Sequence, residues 1–270
     1  MKRALIRSGH PRAERSRRHV LRGALASVAT LSLTGCDRLS RQAGFVDVLK
    51  SAEDLSHAAH KLVTGRNALA QEFDKADISA RFRPNGTLLP RDADYRALMV
   101  NGFKDWRLKV GGLVEDSREY SLAELRALPA RTQITRHDCV EGWSSIGQWK
   151  GVQLARVLAQ VKPLARAKYV LLRCADSMEG PTLDGRDSRY YESIGLDEAR
   201  HPQTLLAYEL NGEVLPVAHG APLRLRVERQ LGYKHAKFLM SVELVESFAA
   251  VRGGQGGYWE DNGYEWYAGV

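Results

Sequence analysis

Of three cysteines in the chain, one stands where chemistry can be built around it. Cys139 closes the strand-like run from Thr132 and opens a loop-like stretch to Gly151, rich in small and aromatic residues. On an alternating strand His137 and Cys139 share a face. A thiolate there is a soft ligand suited to a redox metal. The same pair also suits a cysteine nucleophile assisted by histidine. The plainest alternative is an inert, buried thiol. Two downstream stretches carry cations. His219-Gly220-Ala221-Pro222-Leu223-Arg224-Leu225-Arg226-Val227 alternates, with Leu223, Leu225 and Val227 on one face and both arginines on the other. A guanidinium fork matches two phosphate oxygens, although a solvated strand face gives the same pattern. The bent stretch Leu231 to Leu239 contains His235, Ala236 and Lys237, and bends of this kind offer amides to an anion.

The totals limit what those groups can serve. The chain has 270 residues, 44% hydrophobic, enough for one large domain or two small ones. Its net charge of +8 is concentrated at one end. Residues 1–35 hold eight basic residues against one acid, leaving 32 against 31 elsewhere. The basic balance therefore belongs to a leader, and nucleic-acid binding is not expected. Cys36, Cys139 and Cys174 show no metal-type spacing, and a disulfide scaffold is not expected at this size.

Ser16-Arg17-Arg18-His19-Val20-Leu21-Arg22 matches a twin-arginine export pattern, with Val20 for the usual Phe and Arg22 for Lys. The apolar run Gly23 to Leu33 has eleven residues, too few to span a bilayer. Leu33-Thr34-Gly35-Cys36 fits a lipobox, with Cys36 as the lipidated first residue of the mature protein and Asp37 as an inner-membrane retention signal. A periplasmic lipoprotein is expected. This route exports folded proteins, which suits a cofactor inserted in the cytoplasm.

The stretch Thr135 to Gly151 resembles the molybdenum-binding segment of the sulfite oxidase family. The residues are Cys139, Val140, Glu141 and Trp143, then Trp149-Lys150-Gly151. The His219 to Val227 and Leu231 to Leu239 stretches resemble two further family motifs, in the same order. The nearest branch is the bacterial one containing sulfoxide reductases. The resemblance implies a molybdenum-molybdopterin cofactor and an oxidoreductase. It makes Cys139 the metal ligand and catalytic centre. It assigns cofactor contacts to Asn85, Cys174, His219, Arg224, His235, Ala236 and Lys237. Arg229 and Tyr191 are candidate substrate contacts, and His137 a group that orients ligands. It implies oxygen-atom transfer or other redox of a small or protein-bound S- or N-oxo substrate, in either direction. No Cys-x-x-Cys-His haem motif is present, so electrons are expected to pass to or from a membrane b-type cytochrome or a soluble cytochrome c. A monomer is expected. The rival classes are a metal-free cysteine-nucleophile enzyme and a cofactor-free binding lipoprotein.

The implied fold is α+β, with several small sheets and peripheral helices. The expected divisions are a leader to 35, a helical spacer over 36–80, the cofactor domain over 81–250 and a Gly- and aromatic-rich tail over 251–270. Within the domain, Trp106 to Val110, Thr132 to Cys139 and Tyr169 to Cys174 read as strands. Ser121-Leu122-Ala123-Glu124 has capping-box spacing, predicting a short helix to about Leu128. Val152 to Val161 and Leu196 to Ala199 read as helices, and Asn211-Gly212 as a hairpin turn. The loop Gly180 to Tyr191 is a candidate specificity element. The tail is expected to seal the fold rather than cover a site.

Overall fold

The computed structural model describes residues 68–178 and 188–270, with isolated positions between 42 and 65. The export leader, Cys36 and the loop residues 179–187 lie outside the described residues, as does most of the helical spacer. Among its described positions Phe45, Val48, Ala52 and Leu55 are helical. Val48 and Leu55 are exposed rather than packed.

Gly65–Val270 forms one compact unit. The expected domain start at residue 81 falls inside it. Ala70 donates its amide to Gln203 Oε1 at 2.8 Å, and Glu72 bridges to Thr135. The tail also belongs to this unit.

Among the described residues two five-stranded sheets organise it, the first mixed and the second antiparallel throughout. The first runs β2 (Arg118–Ser121), β1 (Arg107–Gly112), β10 (Leu239–Val245), β5 (Tyr169–Ser177) and β6 (Arg189–Gly195). Its neighbours are antiparallel except β1 and β10. The second runs β3 (Ala130–Cys139), β4 (Trp143–Gln153), β7 (Leu205–Leu210) and β8 (Glu213–Val214), with β9 (Arg224–Arg226) also paired to β7. Among the described residues of this unit, four short helices accompany them: α1 (Ala93–Val100), α2 (Leu122–Ala127), α3 (Leu154–Val161) and α4 (Leu196–Ala199).

Local chemistry accounts for most of these elements. Ser121 and Glu124 form the capping box that starts α2. Asn211 and Gly212 both take positive φ, 54° and 85°, as a tight turn between β7 and β8 requires. Helix α3 buries Leu154, Val157, Leu158 and Val161, one helical face, against the core. Each such burial contributes about 1.5–3 kcal/mol.

One element departs from expectation. Trp143 to Gly151, expected as a loop, lies within the eleven-residue strand Trp143–Gln153. Ser145, Gly147, Trp149 and Gly151 face inward on alternate positions. Small inward residues hide that alternation from a hydrophobicity pattern. They also let β4 approach its neighbours closely: a methyl on Gly151 would stand 2.2 Å from the Leu206 carbonyl oxygen.

Candidate active site

Segments far apart in sequence enclose a cavity of about 170 Å³. Asn85, Gly86 and Thr87 come from an N-terminal loop, and Cys139 to Glu141 from the β3–β4 turn. Strand β5 supplies Asp176, and β6 supplies Tyr190. The turn before β10 supplies Gly232, Tyr233, His235 and Lys237, and the tail supplies Trp259 and Tyr264.

Cys139 ends β3. The chain reverses at Gly142, φ 82°, whose amide donates to the Cys139 carbonyl at 3.0 Å. The thiol is left half-buried at the cavity edge. Burial pushes its pKa up, partly offset by the Glu141 amide. A thiol shifted that way is not poised as a nucleophile at neutral pH. His137 does not assist it. Its Nδ1 contacts the Arg226 guanidinium at 3.0 Å, and its buried Nε2 has no partner. Burial, then Arg226 and Arg224, hold this imidazole well below its usual pKa. Among the described residues no group of three or more His, Cys, Asp or Glu side chains could hold a metal. A metal at Cys139 therefore needs a carrier bringing its own ligands.

Arg224 and Arg226, which read as a possible solvated face, are both fully buried. Both guanidiniums lie over Trp149, at 4.9 and 4.5 Å from the ring centroid. Arg226 has a full set of partners. It pairs with both oxygens of Glu228, which also accepts from Gln133 Nε2 at 2.8 Å. Arg224 has none of that compensation. It donates to the His219 and His235 carbonyls at 3.0 and 3.4 Å, and its Nε has no acceptor. Among the described residues no carboxylate forms an ion pair with it.

Lys237 repeats the pattern. Its Nζ donates to the carbonyls of Asn85 (2.6 Å), Thr87 and Ala218 (2.9 Å), clamping two loops together. Desolvation and then Arg224 push its pKa down to about 7. Two buried basic side chains thus lie beside one another without a carboxylate ion pair. Such an arrangement is costly unless an anion joins it.

Unpartnered buried atoms cluster around the same place: Asn85 Oδ1, His137 Nε2, Asp176 Oδ1, His219 Nδ1, Arg224 Nε and His235 Nδ1. Native interiors seldom leave such groups unmatched. A polar, anionic cofactor with its own metal ligands fits both the surplus cations and the missing partners.

The structure brings Asn85, Cys139, His235 and Lys237 to the cavity wall. His219 and Arg224 stand behind it, joined by the Arg224 bond to the His219 carbonyl. Cys174 is buried and does not line the cavity, although Asp176, two residues on, does. Ala236 is buried, and its amide is used inside the turn, donating to Lys234 O at 3.1 Å. The His235 amide likewise donates to Gly232 O. Both amides, expected as part of an anion cradle, are engaged within the turn.

Neither candidate substrate residue reaches the cavity. Arg229 is held by Glu198 and donates to the Gly65 carbonyl at 3.3 Å. Tyr191 is buried, bonds Asp261, and lines a separate depression with Arg107, Lys109, Arg173 and Arg252. Strand alternation places Tyr190, not Tyr191, on the cavity side. The tail does more than seal the fold, since Trp259 and Tyr264 wall the cavity. Asp176 was also missed. Burial raises its pKa to about 6. Its spacing of two from Cys174 on an alternating strand was the available signal.

Residues 97–250 match the oxidoreductase molybdopterin binding domain model. A provisionally named protein-methionine-sulfoxide reductase subunit, YedZ1 of Azospira oryzae, is 35% identical over 88% of this chain and 81% of its own. The protein-methionine-sulfoxide reductase catalytic subunit MsrP of Xanthomonas campestris is 42% identical over 52% of this chain; the match spans 45% of that relative's length. The solved sulfane dehydrogenase SoxCD from Paracoccus pantotrophus aligns over 56% of this chain and 40% of its own, with 22% identity and a TM-score of 0.49. The chain belongs to the molybdopterin-binding oxidoreductases of the sulfite oxidase family.

Proposed function

We propose that the chain is an exported enzyme that reduces methionine sulfoxide, free or within proteins, by oxygen-atom transfer. The observation that carries the cofactor site is the pair of buried cations, Arg224 and Lys237, beside a cavity edged by the Cys139 thiol. The sulfoxide assignment draws on the relatives named as methionine-sulfoxide reductase subunits.

Bound molybdopterin would supply the two-electron oxygen-atom chemistry that side chains cannot. Cys139 would ligate the metal as thiolate, so loading releases its proton. Arg224 and Lys237 would neutralise the anionic end of the pterin. The unpartnered ring nitrogens of His137, His219 and His235 would complete its polar contacts. Trp259, Tyr264, Tyr233 and Met178 form an apolar, partly aromatic mouth. That surface suits the thioether side of a methionine sulfoxide and limits water near the reacting atoms.

Export by the twin-arginine leader, lipid attachment at Cys36 and electron supply by a membrane b-type or soluble c-type cytochrome complete the proposal. The test is dye-coupled turnover of protein carrying molybdenum. Methionine sulfoxide should be reduced. Turnover of sulfite with no turnover of any sulfoxide would contradict the substrate assignment.

A further inference from the structure

A buried charge cluster stands behind the aromatic wall of the cavity. Lys234 Nζ lies 2.5 Å from Glu192 Oε1 and 2.5 Å from Glu260 Oε1. All three side chains are buried. Two ionised carboxylates on one ammonium would leave a net negative charge away from water, an arrangement relieved by binding one proton.

The geometry supplies a place for it. The two carboxyl groups converge on the one ammonium through their Oε1 atoms, each 2.5 Å from Lys234 Nζ. Glu260 Oε2 is otherwise buried without a donor. Both groups crowd one backbone position. A methyl on Gly257 would stand 1.9 Å from Glu260 Oε2 and 2.8 Å from Glu192 Oε1. Desolvation is the largest influence on Glu192 and pushes its carboxyl well above its ordinary range; Lys234 pulls it back and Glu260 raises it again. The Ser193 amide donates to Glu192 Oε1 at 2.8 Å, and Trp266 flanks Lys234. Cys174 and Asp176 on β5, Tyr190 and Tyr191 on β6, and Tyr233 on the turn are other titratable groups nearby.

Tyr190 connects the cluster to the cavity wall. The Tyr190 hydroxyl lies 3.5 Å from Glu192 Oε2 and donates to the Tyr233 carbonyl at 2.6 Å. Tyr190 and Tyr233 both line the cavity.

We propose that Glu192 and Glu260 share one stored proton and deliver it through the Tyr190 hydroxyl to the oxygen released from the substrate. This rests on the sulfoxide-reducing function proposed above. That reaction breaks the S–O bond and forms water, consuming two electrons from the external donor and two protons. The store supplies one proton, and solvent at the cavity mouth supplies the other. Solvent then refills the store. Tyr190 is the group at the cavity; Glu192, Glu260 and Lys234 act through it.

Infrared spectroscopy of the full, molybdenum-loaded chain tests the store directly. The wild type should show a protonated-carboxyl band at pH 7.5 that E260Q removes, because Glu192 and Lys234 then form a neutral pair. E260Q and Y190F should keep wild-type molybdenum content and KM. Their kcat for methionine sulfoxide should fall roughly 100-fold at alkaline pH, where solvent protons are scarce, and less at pH 6. No carboxyl band in active wild type, or wild-type pH profiles in both variants, would overturn the proposal. Should either variant fail to fold, the wild-type band alone decides. A wild type that shows the band but reduces no sulfoxide would instead refute the proposed function and leave the store standing.

Discussion

The backbone of Gly232 lies against the His137 ring, where an added methyl would stand 2.7 Å from Nε2 and 2.8 Å from Cε1. The ring has little freedom to retreat. Its Nδ1 is held at Arg226, and the His235 ring packs edge-on at 5.0 Å. G232A should therefore cost about 1–3 kcal/mol of stability by overpacking. It should also lower molybdenum content, because the displaced ring and turn both border the cofactor site. Urea unfolding and metal analysis of the same preparation check both effects.

Arg224 separates cofactor binding from folding. A buried cation without a paired carboxylate weakens the cofactor-free fold. R224M should unfold at equal or higher urea than wild type when both lack cofactor. The same substitution should remove about 2–5 kcal/mol of cofactor affinity, as loss of one partner from a buried charge pair does. A variant that both unfolds more easily and retains full cofactor would contradict this role.

The family was legible in the three stretches around Cys139, Arg224 and Lys237 because each groups its distinctive residue types close together in the chain. The helix caps and the Asn211-Gly212 turn were legible for the same reason. The burial of Arg224 and Arg226 was not, because alternation cannot tell a solvated face from one covered by Trp149. Strand β4 was hidden by its glycines and serines, which pair well but carry no hydrophobic period. Glu192, Lys234 and Glu260 are joined only by the fold, so no local spacing marks them. Arg229 and Tyr191 lie off the cavity for a related reason: proximity in sequence to cavity residues does not set the direction of a side chain.

Lys237 sets a pH dependence whose sign follows from its proton balance. Its pKa falls from 10.5 to about 7 in the fold. Between those values the unfolded chain holds a proton that the native cofactor-free chain lacks. Stability of the cofactor-free protein should therefore gain from this residue as pH rises above 7. An anionic cofactor favours the ammonium, so its binding takes up a proton and should weaken over the same range, by up to about tenfold per pH unit. K237M should abolish both slopes. Urea midpoints and cofactor release between pH 6.5 and 9 are the measurements.

The central claim is that the Cys139 sulfur ligates molybdenum in this cavity. Molybdenum-edge X-ray absorption on protein matured with its cofactor, compared with C139S, tests it most directly. Wild type should carry stoichiometric molybdenum with one thiolate sulfur beyond those of the pterin. C139S should lose that sulfur and nearly all turnover while keeping its fold. Identical sulfur coordination in both proteins, or full activity in C139S, would contradict the account.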